Sequence, residues 1–386
     1  MKYTSAAAWT VSLMVRALVS LWDYSGKASP PMFGDYEAQR HWMEITVNLP
    51  INDWYRPCAD NDLLYWGLDY PPLTAYTSFI FGSVARYLVP ELVALHDSRG
   101  YESVETKLFM RMTVMVADAV LFMPVMIALS KQLVTAIGSR QRFTASSSSS
   151  SSSFCVTLSP GQLFLYATTC LLVPGLLLID HGHFQYNSVC LGFSLLALML
   201  VSDDSRHTPV LSTRDIMGSI CFCLALNFKQ MSLYYAPVFF VHLLRKSLTG
   251  ASLCMGAKRV CQLGCTVLLS FSALWLPLCY SYSIDGFSSC AATLSQVLHR
   301  QFPFSRGIFE DKVANIWYAL SVVVDFRQVL DQSQLVLCSL ALTVLLLLPT
   351  CICVFAHSSI DIEGLLLALM GSSLAFFLAS FQVMLD

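Results

Sequence analysis

The chain has 386 residues, 55% of them hydrophobic and only 12% charged, whereas a soluble domain carries roughly 25% charged residues. With a mean hydropathy of +0.60, this excludes an ordinary water-soluble globule and places the chain in lipid. A net charge of -2, from 23 Lys and Arg against 25 Asp and Glu, gives no electrostatic footprint for nucleic acid.

Residues 6–22 follow Lys2 and are apolar apart from Arg16. Their length approaches the roughly 17–25 residues of a span and no A-x-A cleavage site follows, which predicts a signal-anchor helix. Twelve of the 25 acids then fall between Asp23 and Glu105, so the chemistry is sought in this polar segment. Further spans are predicted over 109–130, 160–178, 186–203, 260–281, 333–355 and 363–383, each almost uncharged and about as long as a bilayer requires. Residues 71–95 are interrupted by Arg86, Pro90 and Glu91, and 313–324 are short for a crossing. Residues 216–244 carry Lys229 at their centre and are too few for two spans and too many for one.

The acid-free clusters Lys131, Arg140, Arg142 and Arg245, Lys246, Lys258, Arg259 predict cytoplasmic connections. That holds if 71–95 lies in the opposite interface and 216–244 returns as a bent or re-entrant hairpin. The lumenal side then receives 23–108, His181 to Asn187, the neighbourhood of Lys229, and 283–315. A serine tract, Ser146 to Ser153 within 143–154, is expected to be disordered because it buries nothing to offset ordering entropy. Most of the 14 cysteines sit in apolar runs as buried thiols. Cys58 and Cys290 lie in polar segments and are the candidate pair for an oxidising compartment.

The lumenal segments mix acids and aromatics: GDYEAQRHWMEITVNLPINDWY (Gly34–Tyr55) and LLYWGLDYPPLTAY (Leu63–Tyr76). Aromatic faces stack on sugar C–H faces and carboxylates accept hydroxyl protons, so this composition suits a carbohydrate; an interfacial aromatic belt with solvated acids is the alternative. IDHGHFQYN (Ile179–Asn187), NFKQ (Asn227–Gln230) and LHRQFPFSRGIFEDKVAN (Leu298–Asn315) add imidazoles and cations at the membrane edge, where ionisable groups are costly and therefore functional candidates. Lys229, with no charged neighbour for more than ten residues on either side, either snorkels or holds an anion. Asp180, His181 and His183 are conceivable metal ligands, but two His at i and i+2 point differently on a helix and no metal is expected.

GDYEAQRHWMEIT (Gly34–Thr46), YWGLDYPPLTAY (Tyr65–Tyr76), IDHGHFQYN, LNFKQMSLYYAP (Leu226–Pro237), FPFSRGIFEDKVAN and SFQV (Ser380–Val383) resemble the asparagine-linked glycosylation glucosyltransferases of the GT-C superfamily. The likeness runs in order over nearly the whole chain, and the GDYEAQRHWME form favours the branch that adds the first glucose over the sister that adds the second. The resemblance implies an all-α, polytopic fold in a single membrane domain of the endoplasmic reticulum, with a lumenal active site and no cofactor. The implied donor is dolichyl-phosphate-glucose and the implied acceptor a dolichyl-pyrophosphate-linked oligosaccharide, joined with inversion into an alpha-1,3 linkage. Asp35 takes the part of the base. Lys229, His299, Arg300 and Arg306 are candidates for the donor phosphate. Glu37, Arg40, His41, Trp42, Glu44, Asp69, Tyr70, His181, His183 and Gln185 are candidates for acceptor or loop support.

One departure stands out. Where the resemblance implies a His-Glu-Lys run after SFQV and then further spans, this chain reads SFQVMLD to Asp386, so a C-terminally truncated form is expected. An inactive homologue is one rival reading. A transporter, which also places charges in broken helices, is another, although it has no need of a long acidic and aromatic first loop.

Overall fold

The computed structural model describes residues 2–146, 159–202, 210–279, 286–302, 315–357 and 360–379. Among them there is no strand, only an isolated bridge between Cys58 and Asn61, and the all-α expectation holds. In chain order the helices are α1 (Lys2–Ser20), α2 (Gly34–Asn48), α3 (Pro72–Leu88), α4 (Val104–Ala117), α5 (Met123–Ser146), α6 (Pro160–Leu171), α7 (Pro174–Leu176) and α8 (Asn187–Val201). They continue as α9 (Thr213–Phe228), α10 (Ala236–Leu248), α11 (Leu253–Trp275), α12 (Gly286–Gln301), α13 (Ile316–Ser321), α14 (Phe326–Val329), α15 (Gln332–Ala356) and α16 (Ile362–Ala379). Asp118–Phe122 and Leu177–Phe184 widen into π turns.

Among the described residues, four stretches are long and apolar enough to cross a bilayer: Val104–Thr135, Leu253–Cys279, Gln332–Ala356 and Ile362–Ala379. A fifth forms if Pro160–Leu171 and Pro174–Phe184, bent by 45°, are one broken span. The bend falls where Pro174 drives Val173 out of the helical region, to ψ 116°. Helix α8 is apolar but shorter, and α1, with Arg16, lies outside this set. The 71–95 segment becomes α3 and a 3-10 turn at Pro90–Val93. The 216–244 segment breaks into α9, a 3-10 turn over Gln230–Tyr235, and α10, so the expected bend sits at Lys229. The serine tract beyond Ser146 lies outside the described residues.

The chain divides into two compact units. In the first (Met1–Ala197, Cys221–Lys229, Ser270–Val297), α1 and α5 pack on α6, and α2 packs on α3. Gly82 permits the α2–α3 approach, because a Cβ there would come within 2.6 Å of Val47 Cγ2 and 2.8 Å of the Met43 carbonyl. Trp42, Ile45, Tyr55, Leu68 and Ala75 fill the core beside these helices. In the second (Leu198–Ile220, Gln230–Leu269, Leu298–Asp386), α10, α15 and α16 pack together, and a buried Lys246–Asp215 pair at 2.6 Å accompanies them. The cysteine expectation is corrected: Cys290 is bonded to Cys279, eleven residues away, and Cys58 is an exposed free thiol.

Helix α2 explains the acids of the first polar segment. Residues Tyr36 to Thr46 are all buried, although four of them are Glu37, Arg40, His41 and Glu44. A polar helix buried on every side must satisfy its charges internally. Arg40 donates to both oxygens of Glu37 at 2.6–2.7 Å, to Glu44 at 2.8 Å, to the Leu92 carbonyl at 2.9 Å and to Ser98 Oγ at 2.5 Å. Glu44 also receives His41, Ser98 and the His96 amide. Burial would raise its carboxyl, but the His41 hydrogen bond and the Arg40 charge outweigh burial and hold it well below the usual range. The helix ends at Leu49, extended ahead of Pro50.

A carboxyl depressed in the fold contributes stability that is complete above its ordinary value of 4.5 and is lost as pH falls from there towards the folded value. Arg40→Met strands these carboxylates and should cost about 3–5 kcal/mol near neutral pH. The deficit should shrink below pH 4.5, where the wild-type contribution fades. Thermal unfolding in detergent at neutral and acid pH measures this, and a deficit independent of pH would exclude the ion network as its source.

Candidate active site

Asp35 stands in the first turn of α2, where the helix dipole favours a carboxylate. Gly34 turns the chain into that helix at φ +68°, and a Cβ there would meet Ser25 Oγ at 2.7 Å and the Gly26 backbone at 2.8 Å. Asp35 Oδ2 accepts from His183 Nε2 at 2.9 Å and from Gln185 Nε2 at 2.7 Å. An ionised carboxylate only accepts, so both nitrogens donate. Its other oxygen has no partner among the described residues, and the side chain is 37% exposed.

Phe184, between those two donors, adopts φ 94° and is fully buried against Tyr36, Tyr186 and the Arg111 guanidinium. A non-glycine residue there stores on the order of 1–3 kcal/mol of strain. The kinked path turns His183 and Gln185 towards one acceptor. The Ser25 amide secures it by donating to the His183 carbonyl at 3.0 Å.

Lys229 follows the last residue of α9, where the helix stops. Its Nζ donates to Asn187 Oδ1 at 2.8 Å and lies 4.8 Å from the centre of the Tyr70 ring. Burial works against its charge, and Asp180, Asp35 and Asp69 lie near enough to offset that in part. The helix break leaves the Phe228 carbonyl without its helical donor, and Thr74 Oγ1 supplies one. The Tyr70–Pro71–Pro72–Leu73–Thr74 stretch therefore both floors the ammonium and closes the backbone beside it.

The structure thus brings Asp35, His183, Gln185, Tyr70 and Lys229 into one neighbourhood of the first unit, with Asp69 half-buried next to Tyr70. Glu37, Arg40, His41 and Glu44 form the buried network of α2, behind Asp35. Trp42 donates to the Trp66 carbonyl at 2.9 Å and packs on Tyr70. His181 turns the other way, to Asp118 Oδ2 at 2.9 Å, so the two histidines do face different acids. His299 and Arg300 lie in the last turn of α12, within the second unit, and Arg306 lies outside the described residues.

Asn187, Asp118, Arg16 and Arg111 were not singled out as site residues, and Asp180 was weighed only as a metal ligand. Asp180 accepts from the Asn187 amide and side chain and from the Ser188 amide at 2.7–3.1 Å, which turns Asn187 Oδ1 towards Lys229. A signal existed: Arg16 and Asp118 are lone charges of opposite sign in two apolar runs, and such charges seek one another.

These features define a helical, multi-pass membrane protein with a carboxylate and a cation gathered where helices break. Residues 12–384 match the ALG6, ALG8 glycosyltransferase family, and the chain belongs to it. It is 47% identical over 374 residues to the dolichyl pyrophosphate Man9GlcNAc2 alpha-1,3-glucosyltransferase of Gallus gallus, covering 97% of this chain and 65% of that protein. The similarly named proteins of Mus musculus and Saccharomyces cerevisiae are 44% and 40% identical, over 97% and 96% of this chain and 65% and 61% of their own length. The chain thus spans under two thirds of the length of these curated relatives.

Gly34→Ala should destabilise the fold by at least about 1–2 kcal/mol, the cost of left-handed backbone for a residue with a Cβ, with the steric overlap added. Gly182→Ala is the control, since its Cβ would meet nothing nearer than 3.8 Å. Unfolding midpoints in detergent compare them, and equal midpoints would show that the Gly34 turn does not need glycine.

Proposed function

We propose that this chain transfers the first glucose from dolichyl-phosphate-glucose to the lipid-linked nonamannosyl oligosaccharide, on the lumenal side of the endoplasmic reticulum. The observation that carries the reading is the Asp35 carboxylate: one oxygen is held by two N–H donors and the other is left for a substrate. Membership of the family and the names of the relatives support the choice of reaction. Lys131, Arg140 and Arg142 on one connection support the sidedness.

In the proposed step, the acceptor mannose 3-hydroxyl oxygen bonds to the glucose anomeric carbon as the bond from that carbon to the phosphate oxygen breaks. The hydroxyl proton passes to Asp35 and the electron pair of the broken bond leaves with the phosphate. Attack opposite the departing group inverts the centre from beta to alpha. Dolichyl phosphate is stable as an anion, so it needs a cation and donors rather than a proton. Lys229 is the cation, oriented by Asn187 and Tyr70. His183 and Gln185 fix the direction of the basic oxygen, because a base works only within hydrogen-bond reach of the proton it takes.

Asp35→Asn keeps the shape of the side chain and should lower transfer about 100- to 10,000-fold, the usual worth of a positioned base. Lys229→Ala should instead weaken apparent donor affinity or turnover by about 1.5–3 kcal/mol. Membranes from cells lacking the first glucosyl transfer, supplied with each chain and the lipid-linked acceptor, provide the assay. Near-normal turnover in Asp35→Asn would remove the base, and comparable loss in Asp69→Asn alone would move the role to Asp69. Sidedness is checked by glycosylation acceptor sites inserted within 23–108 and 143–154: the first should be modified, and modification of the second would reverse the topology.

A further inference from the structure

Behind the Asp35 site lies a buried charge network that the proposed step does not use. Arg16 Nε donates to Asp118 Oδ2 at 2.6 Å, and His181 Nε2 bonds the same oxygen at 2.9 Å. Arg16, Asp118 and His181 are at most 1% exposed. Arg16 Nη1 also reaches Ser12 and, at 3.1 Å, the Leu171 carbonyl, which is orphaned where α6 ends at the bend. The network therefore ties α1, the π turn after α4 and the π turn that carries Asp180 to Phe184.

Stability does not explain it. Buried ion pairs replaced by well-packed apolar residues are often neutral or stabilising, so a buried pair is weak evidence for a stabilising role. Here the segment they hold is the one that delivers two donors to Asp35. Along it, His181 is fixed by Asp118, the Gly182 carbonyl by Arg111 at 2.8 Å, the His183 carbonyl by Ser25, and Phe184 by its ring contacts. His183 and Gln185 then meet one oxygen of Asp35 from a backbone whose every step is held.

We infer that Asp118, anchored by Arg16, is a positioning residue for Asp35: it grips His181 and so sets the path that brings His183 and Gln185 onto one carboxylate oxygen. The inference rests on Asp35 as the base. His181→Leu cuts the link and leaves the Arg16–Asp118 pair intact, and His181→Gln offers an amide nitrogen in place of Nε2. In the full chain, His181→Leu should lower turnover about 10- to 100-fold with the donor KM unchanged, because a displacement near 1 Å costs on that order. His181→Gln should recover most of it.

In a chain already carrying His183→Ala and Gln185→Ala, His181→Leu should add less than about 2-fold, since groups acting through one contact are not additive. An undiminished further loss there, or no loss in the single variant, overturns the inference. Amide hydrogen exchange needs no turnover: His181→Leu should speed exchange over residues 181–186 by about 10-fold or more while most of α8 stays protected. Unchanged exchange in that segment also overturns it. If Asp35→Asn retains activity, the base reading falls by itself, and the exchange measurement still decides whether the triad holds the segment.

Discussion

Arg16 leaves α1 with no access to water and meets Asp118 at 2.6 Å, in the π turn that joins α4 to α5. Neither charge could be buried alone without a cost of several kcal/mol. The π turn and the bend at Pro174 are where the backbone gives way around this pair: the wider turn places Asp118 opposite Arg16, and the interrupted helix exposes the Leu171 carbonyl to the same guanidinium. Irregular backbone inside apolar helices is tolerated where side chains re-satisfy its freed groups. The network thus satisfies a carbonyl that the bend at Pro174 frees, and the Asp35 site is built on the segment that follows that bend.

Lys229 shows the same logic at a second break. Helix α9 stops at Phe228, Thr74 takes the freed carbonyl, and Asn187 and Tyr70 receive the ammonium. Asn187 can serve only because Asp180 engages its side-chain amide, leaving the oxygen for Lys229. A buried carboxylate therefore acts on the cation through an intervening neutral group, and the order Asp180 to Asn187 in the sequence spans the turn that makes this possible.

Much of this was legible in the residues. Spans with long uncharged runs, such as those at Gln332–Ala356 and Ile362–Ala379, declare themselves by hydropathy, and a bend within 216–244 follows from a length too short for two spans and too long for one. The association of Asp35 with His183 and Gln185 was not legible from spacing, because it joins positions about 150 residues apart through a left-handed phenylalanine that no propensity would choose. Glu37, Arg40, His41 and Glu44 were visible as acids and cations among aromatics, which the sequence alone reads as acceptor or loop support or as an interfacial belt with solvated acids, whereas burial makes them a closed ion network. The Cys279–Cys290 bond was hidden because Cys279 ends an apolar run and reads like the other thiols of such runs. The expectation that those are buried is itself corrected: among the described free cysteines Cys190 and Cys223 are buried, whereas Cys254, Cys261, Cys265, Cys338 and Cys353 are exposed.

The way each charge is matched separates support from chemistry. Arg16 is met by Asp118, Arg40 by Glu37 and Glu44, and Lys246 by Asp215, so each of these groups has its field cancelled by an opposite charge at hydrogen-bond distance. Lys229, by contrast, is hydrogen-bonded to a neutral amide and rests on an aromatic face, and Asp35 is held by an amide and an imidazole. A neutral amide fixes direction without cancelling charge. A carboxylate and an ammonium held in that manner keep their fields for a third party, and the proposed step, in which one reactant gives up a proton and the other releases an anion, has use for both.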